Sequence, residues 1–204
     1  MKMFLYFRRC RTAIGCAVLA VGAGFLAEPL AHGVTREVSA AYAKATWEKW
    51  KRFCAACPAK VSPEPGEPAF WLSVPSCKIS VLVLQESNAD ALHRFPAVRP
   101  LESGGRVIFG HRDTHFHGLA HIRFGDQIRI ETADGNAATY PVRAIRILLP
   151  EQVSAALEDP ETSGALHLLT CYPFRYIGAA PKRFLVVATR MHDEQIHSSS
   201  SQAR

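Results

Sequence analysis

The sequence predicts an all-β barrel with little helix, preceded by an N-terminal apolar segment. From Phe70 onwards, short apolar and β-branched runs alternate with Gly, Pro and Asp, which gives seven or eight strands. One Asp-Gly pair, Asp134 and Gly135, separates two such runs and supplies the positive φ that a hairpin turn needs. An antiparallel chain removes its unpaired strand edges by closing, so a barrel is the natural architecture.

The strand predictions follow the apolar runs in order. Strands are expected at residues 70–74, 79–84, 106–110, 127–132, 139–149, 166–169 and 183–189. Short helical turns are expected at residues 88–95, 116–122 and 151–158. We therefore assign residues 70–190 to the folded domain. The polar tail, residues 191–204, is predicted to be disordered.

The N-terminus combines basic and apolar residues. Lys2, Arg8, Arg9 and Arg11 precede residues 12–27, sixteen residues without a charge. This length lies between a signal-peptide core and a full membrane span. We favour an uncleaved signal anchor within residues 1–34, with the basic residues cytoplasmic and the remaining chain exported. A cleaved signal peptide is the alternative.

Residues 35–69 are predicted to form a juxtamembrane helix and a linker. The helix spans residues 35–53, with Thr35 as its N-cap, and places Ala43, Trp47, Trp50 and Cys54 on one face. Two interpretations are open: an interfacial helix with its tryptophans at headgroup depth, or a stalk helix that packs on its own domain. Four prolines among residues 58–69 indicate a stiff linker.

Charge and cysteine usage exclude other classes. The net charge of +6 is concentrated at the N-terminus and forms no basic stripe, so a nucleic-acid partner is not expected. Cys54 and Cys57 form a CxxC motif without the βαβ context or second ligand pair that a redox or zinc site would need. A structural disulfide among Cys54, Cys57 and Cys77, or free thiols, is the favoured interpretation.

Three chemically active residues lie at strand ends. Cys171 closes one apolar run, and Arg183 opens the next strand twelve residues later. Because consecutive strands usually pair, both side chains should meet at one rim of the barrel. An arginine beside a cysteine lowers a thiol pKa, and the thiolate is the nucleophile. His111 follows the run that ends at Gly110 and could converge on the same rim.

These residues resemble the signature of sortases, the cysteine transpeptidases of bacterial surfaces. The matching motifs are Leu169-Thr170-Cys171, Arg183 and Gly110-His111-Arg112-Asp113. The longer strings GHRDTHF and LLTCYPF resemble the subgroup found in Gram-negative bacteria, the class GN or marine proteobacterial type. The resemblance covers about residues 70–190. It implies an eight-stranded barrel and a single-pass anchor in the inner membrane, with the catalytic domain on the periplasmic side.

The resemblance also implies a reaction. Such an enzyme cleaves a C-terminal sorting motif, LPxTG-like, in an exported protein and passes the acyl group to an amine acceptor. Cys171 would be the nucleophile, His111 the general acid and later base, and Arg183 the oxyanion stabiliser. No cofactor or metal is called for. Supporting roles are expected for three residues: Thr170 at the oxyanion site, Asp113 in orienting Arg112 or His115, and His115 itself.

Other interpretations remain open from the residues alone. The four histidines at 111, 115, 117 and 121 have a spacing that metal ligands can have, but no acidic or cysteine partner is spaced to complete a site. Another thiol acyl-transfer enzyme is possible, although the SxGC-type motif of L,D-transpeptidases is absent. A non-catalytic periplasmic binding or assembly protein on the same barrel is the remaining alternative.

Overall fold

The computed structural model describes residues 39–56, 63–86 and 94–190. The chain divides into two compact units, Met1–Ala43 and Lys44–Arg204. Of the first unit, only residues 39–43 are described, and they are helical. The predicted signal anchor at 12–27, most of the helical turn at 88–95 and the tail at 191–204 lie outside the described residues. Among the helices that are described, none is both long and apolar enough to cross a membrane.

The described residues form an eight-stranded closed barrel. The strands are β1 Pro68–Val74, β2 Ile79–Gln85, β3 Ala97–Pro100, β4 Arg106–Phe109, β5 Gln127–Glu131, β6 Ala137–Leu148, β7 Leu166–Tyr172 and β8 Lys182–Ala188. They close in the order β1-β2-β3-β4-β7-β8-β6-β5. The pairs β2–β3 and β4–β7 are parallel, and the other pairs are antiparallel. The predicted all-β barrel is confirmed.

One longer helix precedes the barrel, and the helices within the barrel domain are short. Residues 39–56 form α1, and Val153–Leu157 form α2. Four 3-10 helices lie at Pro75–Cys77, His117–His121, Pro150–Gln152 and Pro160–Thr162. Helical turns therefore occur at 116–122 and 151–158, as the sequence predicts. The hairpin β5–β6 is also confirmed, and Gly135 has the expected positive φ of 86°.

One strand was not predicted. β3 has only four residues, and its last two, Arg99 and Pro100, are exposed. It pairs in parallel with β2 and antiparallel with β4. A four-residue segment that ends in Arg and Pro has too little apolar alternation to indicate a strand, because its stability comes from its neighbours. The first strand also begins two residues earlier than predicted, at Pro68.

Strand alternation creates two apolar clusters. One fills the barrel and takes buried side chains from every strand, among them Leu72, Val83, Ile108, Leu168 and Val186. The other packs α2 against the opposite face of β4, β7 and β8, with Val107, Leu157, Leu169, Leu185 and Val187 as buried members. Because β4 and β7 carry buried side chains on both faces, the two parallel strands are held rigidly where they approach the rim.

The part of α1 within the second unit packs on the barrel. Trp47 is buried, and its ring centroid lies 6.4 Å from that of Trp71 on β1. Lys51 Nζ lies 4.0 Å from a carboxylate oxygen of Glu131 on β5. Trp47 therefore belongs to a helix that packs on its own domain. Cys77 and Cys171 are free thiols, while Cys57 lies outside the described residues.

Candidate active site

Cys171 and Arg183 form a direct cross-strand pair. β7 and β8 are antiparallel, and their register places Cys171 opposite Arg183, one pair from the end of the ladder. Residues that lie opposite each other in an antiparallel ladder have Cβ atoms about 4.5–5.5 Å apart and project from the same face. The strand register therefore confirms that Cys171 and Arg183 lie at one rim and project from the same face.

His111 reaches the same rim from β4. This strand runs parallel to β7, and the last pair of the ladder is Phe109 with Leu169. The Gly110 amide donates to the Leu169 carbonyl oxygen at 3.2 Å, which is the last ladder bond between these strands. His111 follows two residues after Phe109, and Cys171 follows two residues after Leu169. The chain therefore carries both residues to the same rim.

Thr170 fastens the two strands together immediately before the reactive residues. Its hydroxyl donates to the Gly110 carbonyl oxygen at 2.7 Å, and the residue is 3% exposed. The expectation was that the Thr170 backbone or hydroxyl contributes to the oxyanion site. The hydroxyl instead bonds to the strand that carries His111, so it holds the register of β4 and β7. Because the buried hydroxyl already donates its hydrogen to Gly110, its role is to hold the structure and not to bind substrate.

The turn that carries His111 is shaped by Gly110 and Phe116. Phe116 is fully buried, and its amide donates to the His111 carbonyl oxygen at 2.9 Å. A Cβ atom at position 110 would lie 2.7 Å from the Phe116 ring, which is closer than van der Waals contact allows. Glycine at 110 therefore lets the ring pack against the backbone beneath His111, and the close packing fixes the direction in which the chain leaves β4.

The three residues are accessible from outside the barrel. Cys171 and Arg183 are half-buried, and His111 is exposed. The Arg183 guanidinium uses Nη1 to donate to the carbonyl oxygens of Ala180 and Lys182, at 3.0 and 2.9 Å. Its other nitrogens, Nε and Nη2, provide further donors on the same planar group. The rim thus brings together a thiol, an imidazole and a guanidinium, the kinds of group that can supply a nucleophile, a proton carrier and a cationic donor in acyl transfer.

Comparison with known proteins identifies the family. Residues 72–191 match the family model of the sortase domain, which is more than half of the chain. The chain belongs to the sortase family. Sortase D of Bacillus subtilis (strain 168) is 32% identical to it over 138 residues, covering 65% of this chain and 69% of that protein.

Solved sortase structures share the barrel. A sortase D5 transpeptidase of Clostridium perfringens superposes with a TM-score of 0.59 at 18% identity, covering 73% of this chain and 98% of that one. Sortase A from Corynebacterium diphtheriae gives a TM-score of 0.53 at 24% identity and covers 62% of this chain. The aligned region spans 61% of the diphtheria enzyme, less than two thirds of its length. At these identities the structural matches establish the fold.

His115 lies next to His111 in the turn that follows β4. Its Nε2 lies 2.9 Å from the Arg94 carbonyl oxygen, and its ring centroid lies 6.3 Å from that of His111. Because a carbonyl oxygen only accepts, Nε2 carries the hydrogen in this contact. Burial lowers the pKa of His115, which favours the neutral ring. His115 therefore anchors the turn after His111 through its hydrogen bond to Arg94.

Asp113 does not orient its neighbours through hydrogen bonds. Its side chain is exposed, and in the described structure it makes no hydrogen bond with Arg112 or His115. Its charge acts only weakly against the effect of burial on the pKa of His115. Arg112 instead donates from Nη2 to the carbonyl oxygens of Tyr176 and Gly178. Asp113 is therefore an exposed residue of the turn that follows His111.

The spacing of four histidines does not produce a metal centre in the part of the chain that is described. No group of three or more His, Cys, Asp or Glu side chains there is arranged to hold a metal ion. His115 is occupied by the Arg94 carbonyl oxygen, and His117 and His121 are exposed on a 3-10 helix. The pattern H-x3-H-x-H-x3-H therefore reflects a turn followed by a short helix.

The sequence alone does not indicate the roles of Arg112 and His167. Arg112 stands within the Gly-His-Arg-Asp motif, but its carbonyl partners lie 64 and 66 residues later. His167 is fully buried near the start of β7, at the end of the strand away from Cys171. Burial lowers the pKa of His167, and the backbone at Arg106 opposes this effect.

Proposed function

We propose that this chain is a membrane-anchored cysteine transpeptidase of the Gram-negative sortase type. It would cleave an LPxTG-like sorting motif near the C-terminus of an exported protein and transfer the acyl fragment to an amine. The observation that carries the proposal is the register of three strands. Cys171 lies opposite Arg183 on β8, and His111 leaves β4 at the matching position on the other side.

The first half of the reaction forms a thioester. The Cys171 thiolate attacks the scissile carbonyl carbon, and negative charge develops on the carbonyl oxygen. Arg183 stabilises that charge through the guanidinium nitrogens that remain beside its two loop carbonyl contacts. The C–N bond then breaks, and protonated His111 gives its proton to the departing amine. The acyl fragment is left on the Cys171 sulfur.

The second half transfers the acyl group. An incoming amine attacks the thioester carbonyl, and neutral His111 accepts a proton from that amine. The C–S bond breaks, Cys171 departs as the thiolate, and a new amide is released. Water in place of the amine would give hydrolysis by the same steps. Cys171 is half-buried, so a thioester formed on it remains partly accessible to an incoming amine or water.

The location and subgroup are also part of the proposal. The basic residues and apolar segment at 1–34 favour a single-pass anchor in the inner membrane, with residues after 34 in the periplasm. The strings GHRDTHF and LLTCYPF favour the Gram-negative subgroup. The acyl donor is then an exported protein with a C-terminal sorting signal, and the acceptor is an amine on that side of the membrane.

Product analysis with the full-length chain tests the proposal. The protein is incubated with peptides of the form Leu-Pro-X-Thr-Gly, varied at X, and with triglycine as the amine. We expect a ligated product in which the residues after Thr are replaced by triglycine. The Cys171→Ala variant should form none, whereas the Cys54→Ala variant, which changes a cysteine of α1, should match the wild type. Failure of the wild-type chain to cleave any peptide of the set, or turnover by Cys171→Ala, would contradict the proposal.

A further inference from the structure

Arg112 makes three contacts with the loop that joins β7 to β8. Its Nη2 donates to the carbonyl oxygen of Tyr176 at 2.8 Å and to that of Gly178 at 3.0 Å. Its guanidinium carbon also lies 5.8 Å from the Tyr176 ring centroid, within the range of a cation–π interaction. A single side chain, next to His111 in sequence, thus binds a loop more than sixty residues away.

This loop connects the strand of Cys171 to the strand of Arg183. Its Phe174 packs against the barrel core and the Phe184 ring, but residues 175–179 are exposed and bury little apolar surface. Tyr176 is 48% exposed and Ile177 is fully exposed. Gly178 has a φ of 88°. Glycine has no side chain that would hold this backbone conformation, so contacts from neighbouring residues must hold it. The carbonyl contacts from Arg112 therefore supply much of what holds the loop in one conformation.

The same loop holds Arg183. The Nη1 atom of Arg183 donates to the Ala180 carbonyl oxygen at 3.0 Å, and Ala180 lies two residues after Gly178. Arg112 and Arg183 therefore bind carbonyl oxygens of the same loop, and only two residues of backbone separate the two carbonyls. Arg112 adjoins His111 in sequence, and Arg183 faces Cys171 across the β7–β8 ladder.

We propose that Arg112 is a positioning residue for acyl transfer: it fixes the β7–β8 loop so that the Arg183 guanidinium is held beside Cys171. This inference rests on the proposed function. Loss of the contacts would free the Ala180 carbonyl oxygen to move, so Arg183 would keep only its hydrogen bond to the Lys182 carbonyl oxygen on β8. A misplacement of about 1 Å at a catalytic group costs roughly 10²-fold in rate, so the effect should appear in the chemical step.

The test begins with Arg112→Met, which keeps a long apolar side chain and removes every donor. The rate of single-turnover acylation by the peptide set above should fall by about 10- to 100-fold in the full-length chain. Arg175→Met is the matched control, because Arg175 is an exposed arginine in the same loop; it should stay within about twofold. Arg112→Lys should recover part of the loss, since an ammonium donates to carbonyls but lacks the planar fork.

A double-mutant comparison shows whether Arg112 acts through Arg183. In an Arg183→Ala background, Arg112→Met should cost less than about threefold more, because the group it positions is already gone. Hydrogen exchange gives a readout that needs no substrate: the amides of residues 176–180 should exchange faster in Arg112→Met and not in Arg175→Met. A merely structural effect on the whole barrel would instead speed exchange in β7 and β8 as well.

The outcomes separate the two proposals. A wild-type chain that no peptide acylates overturns the proposed function, and this inference with it. A wild-type chain that is acylated, with Arg112→Met equally fast or loop exchange unchanged, overturns this inference alone. A full additional loss in the Arg183→Ala background also overturns it, because Arg112 would then act by another route.

Discussion

Arg183 is the residue whose loss should separate chemistry from folding. It lies opposite Cys171 in the β7–β8 ladder, whereas Arg175 and Lys182 are exposed side chains nearby. Replacement of Arg183 by alanine removes the donor to the carbonyl oxygen on which charge develops. The loss of one such donor costs about 2.7–4 kcal/mol in the barrier, or roughly 10²–10³ in rate. We expect this loss in acylation.

The effect on stability should be smaller. The Nη1 atom of Arg183 makes two hydrogen bonds to loop carbonyls, at 2.9 and 3.0 Å, and the residue is partly exposed. Each such bond contributes about 0.5–1.5 kcal/mol to the free energy of unfolding. The variant should therefore lose about 1–3 kcal/mol, and its melting temperature should fall by roughly 2–4 °C for each kcal/mol. Rates measured well below that temperature then report chemistry.

Single-turnover acylation of the full-length chain is the appropriate assay, because it excludes product release. Arg183→Lys keeps the charge but loses the planar fork, so it should also be slowed by more than about tenfold. Arg175→Ala and Lys182→Ala serve as controls and should lose less than about tenfold. A rate for Arg183→Ala within about threefold of wild type would refute the oxyanion role and would mean that the cross-strand pairing with Cys171 is structural only.

Three further predictions concern the scaffold. Thr170→Val removes the hydroxyl that bonds to Gly110 and should lower the free energy of unfolding by about 1–3 kcal/mol in chemical denaturation; no change would contradict this bond. Gly118→Ala places a Cβ against the Cys77 carbonyl oxygen, so it should cost at least about 1–3 kcal/mol, and a stable variant would refute the close packing. For His167, burial lowers the folded-state pKa below the ordinary value of 6.5, so the unfolded chain takes up the proton first as pH falls. The contribution of His167 to the free energy of unfolding should then be complete at pH values well above 6.5. It should decrease as the pH falls below about 6.5, by at most ~1.4 kcal/mol per pH unit, and His167→Leu should flatten that dependence in denaturation measured across the range.

The barrel was predictable where apolar alternation is strong. Runs of valine, leucine and isoleucine predict seven strands, and the Asp134-Gly135 turn indicates the hairpin between β5 and β6. β3 was missed because Arg99 and Pro100 make up half of it, and its pairing depends on strands that are distant in sequence. Periodicity could not predict the strand order with its two parallel pairs, because alternation indicates that a strand forms but not which strand lies beside it.

The part of the site that lies on consecutive strands was predictable. Cys171 and Arg183 end and begin consecutive strands, so pairing followed from adjacency. His111 required the parallel register of β4 with β7, which the motif resemblance suggested but spacing could not establish. The hydroxyl of Thr170 and the guanidinium of Arg112 were less accessible to sequence reasoning. Their partners lie 60 or more residues away, and only the folded chain brings them together.

The most direct test of the central claim is intact-mass analysis of the full-length chain with a sorting peptide and no amine acceptor. We expect a mass increase equal to the acyl fragment through Thr, located by fragmentation on the peptide that carries Cys171. Addition of triglycine should remove the adduct and release the ligated product. An adduct on Cys54, Cys57 or Cys77, or an adduct that persists in Cys171→Ala, would contradict the assignment of the nucleophile.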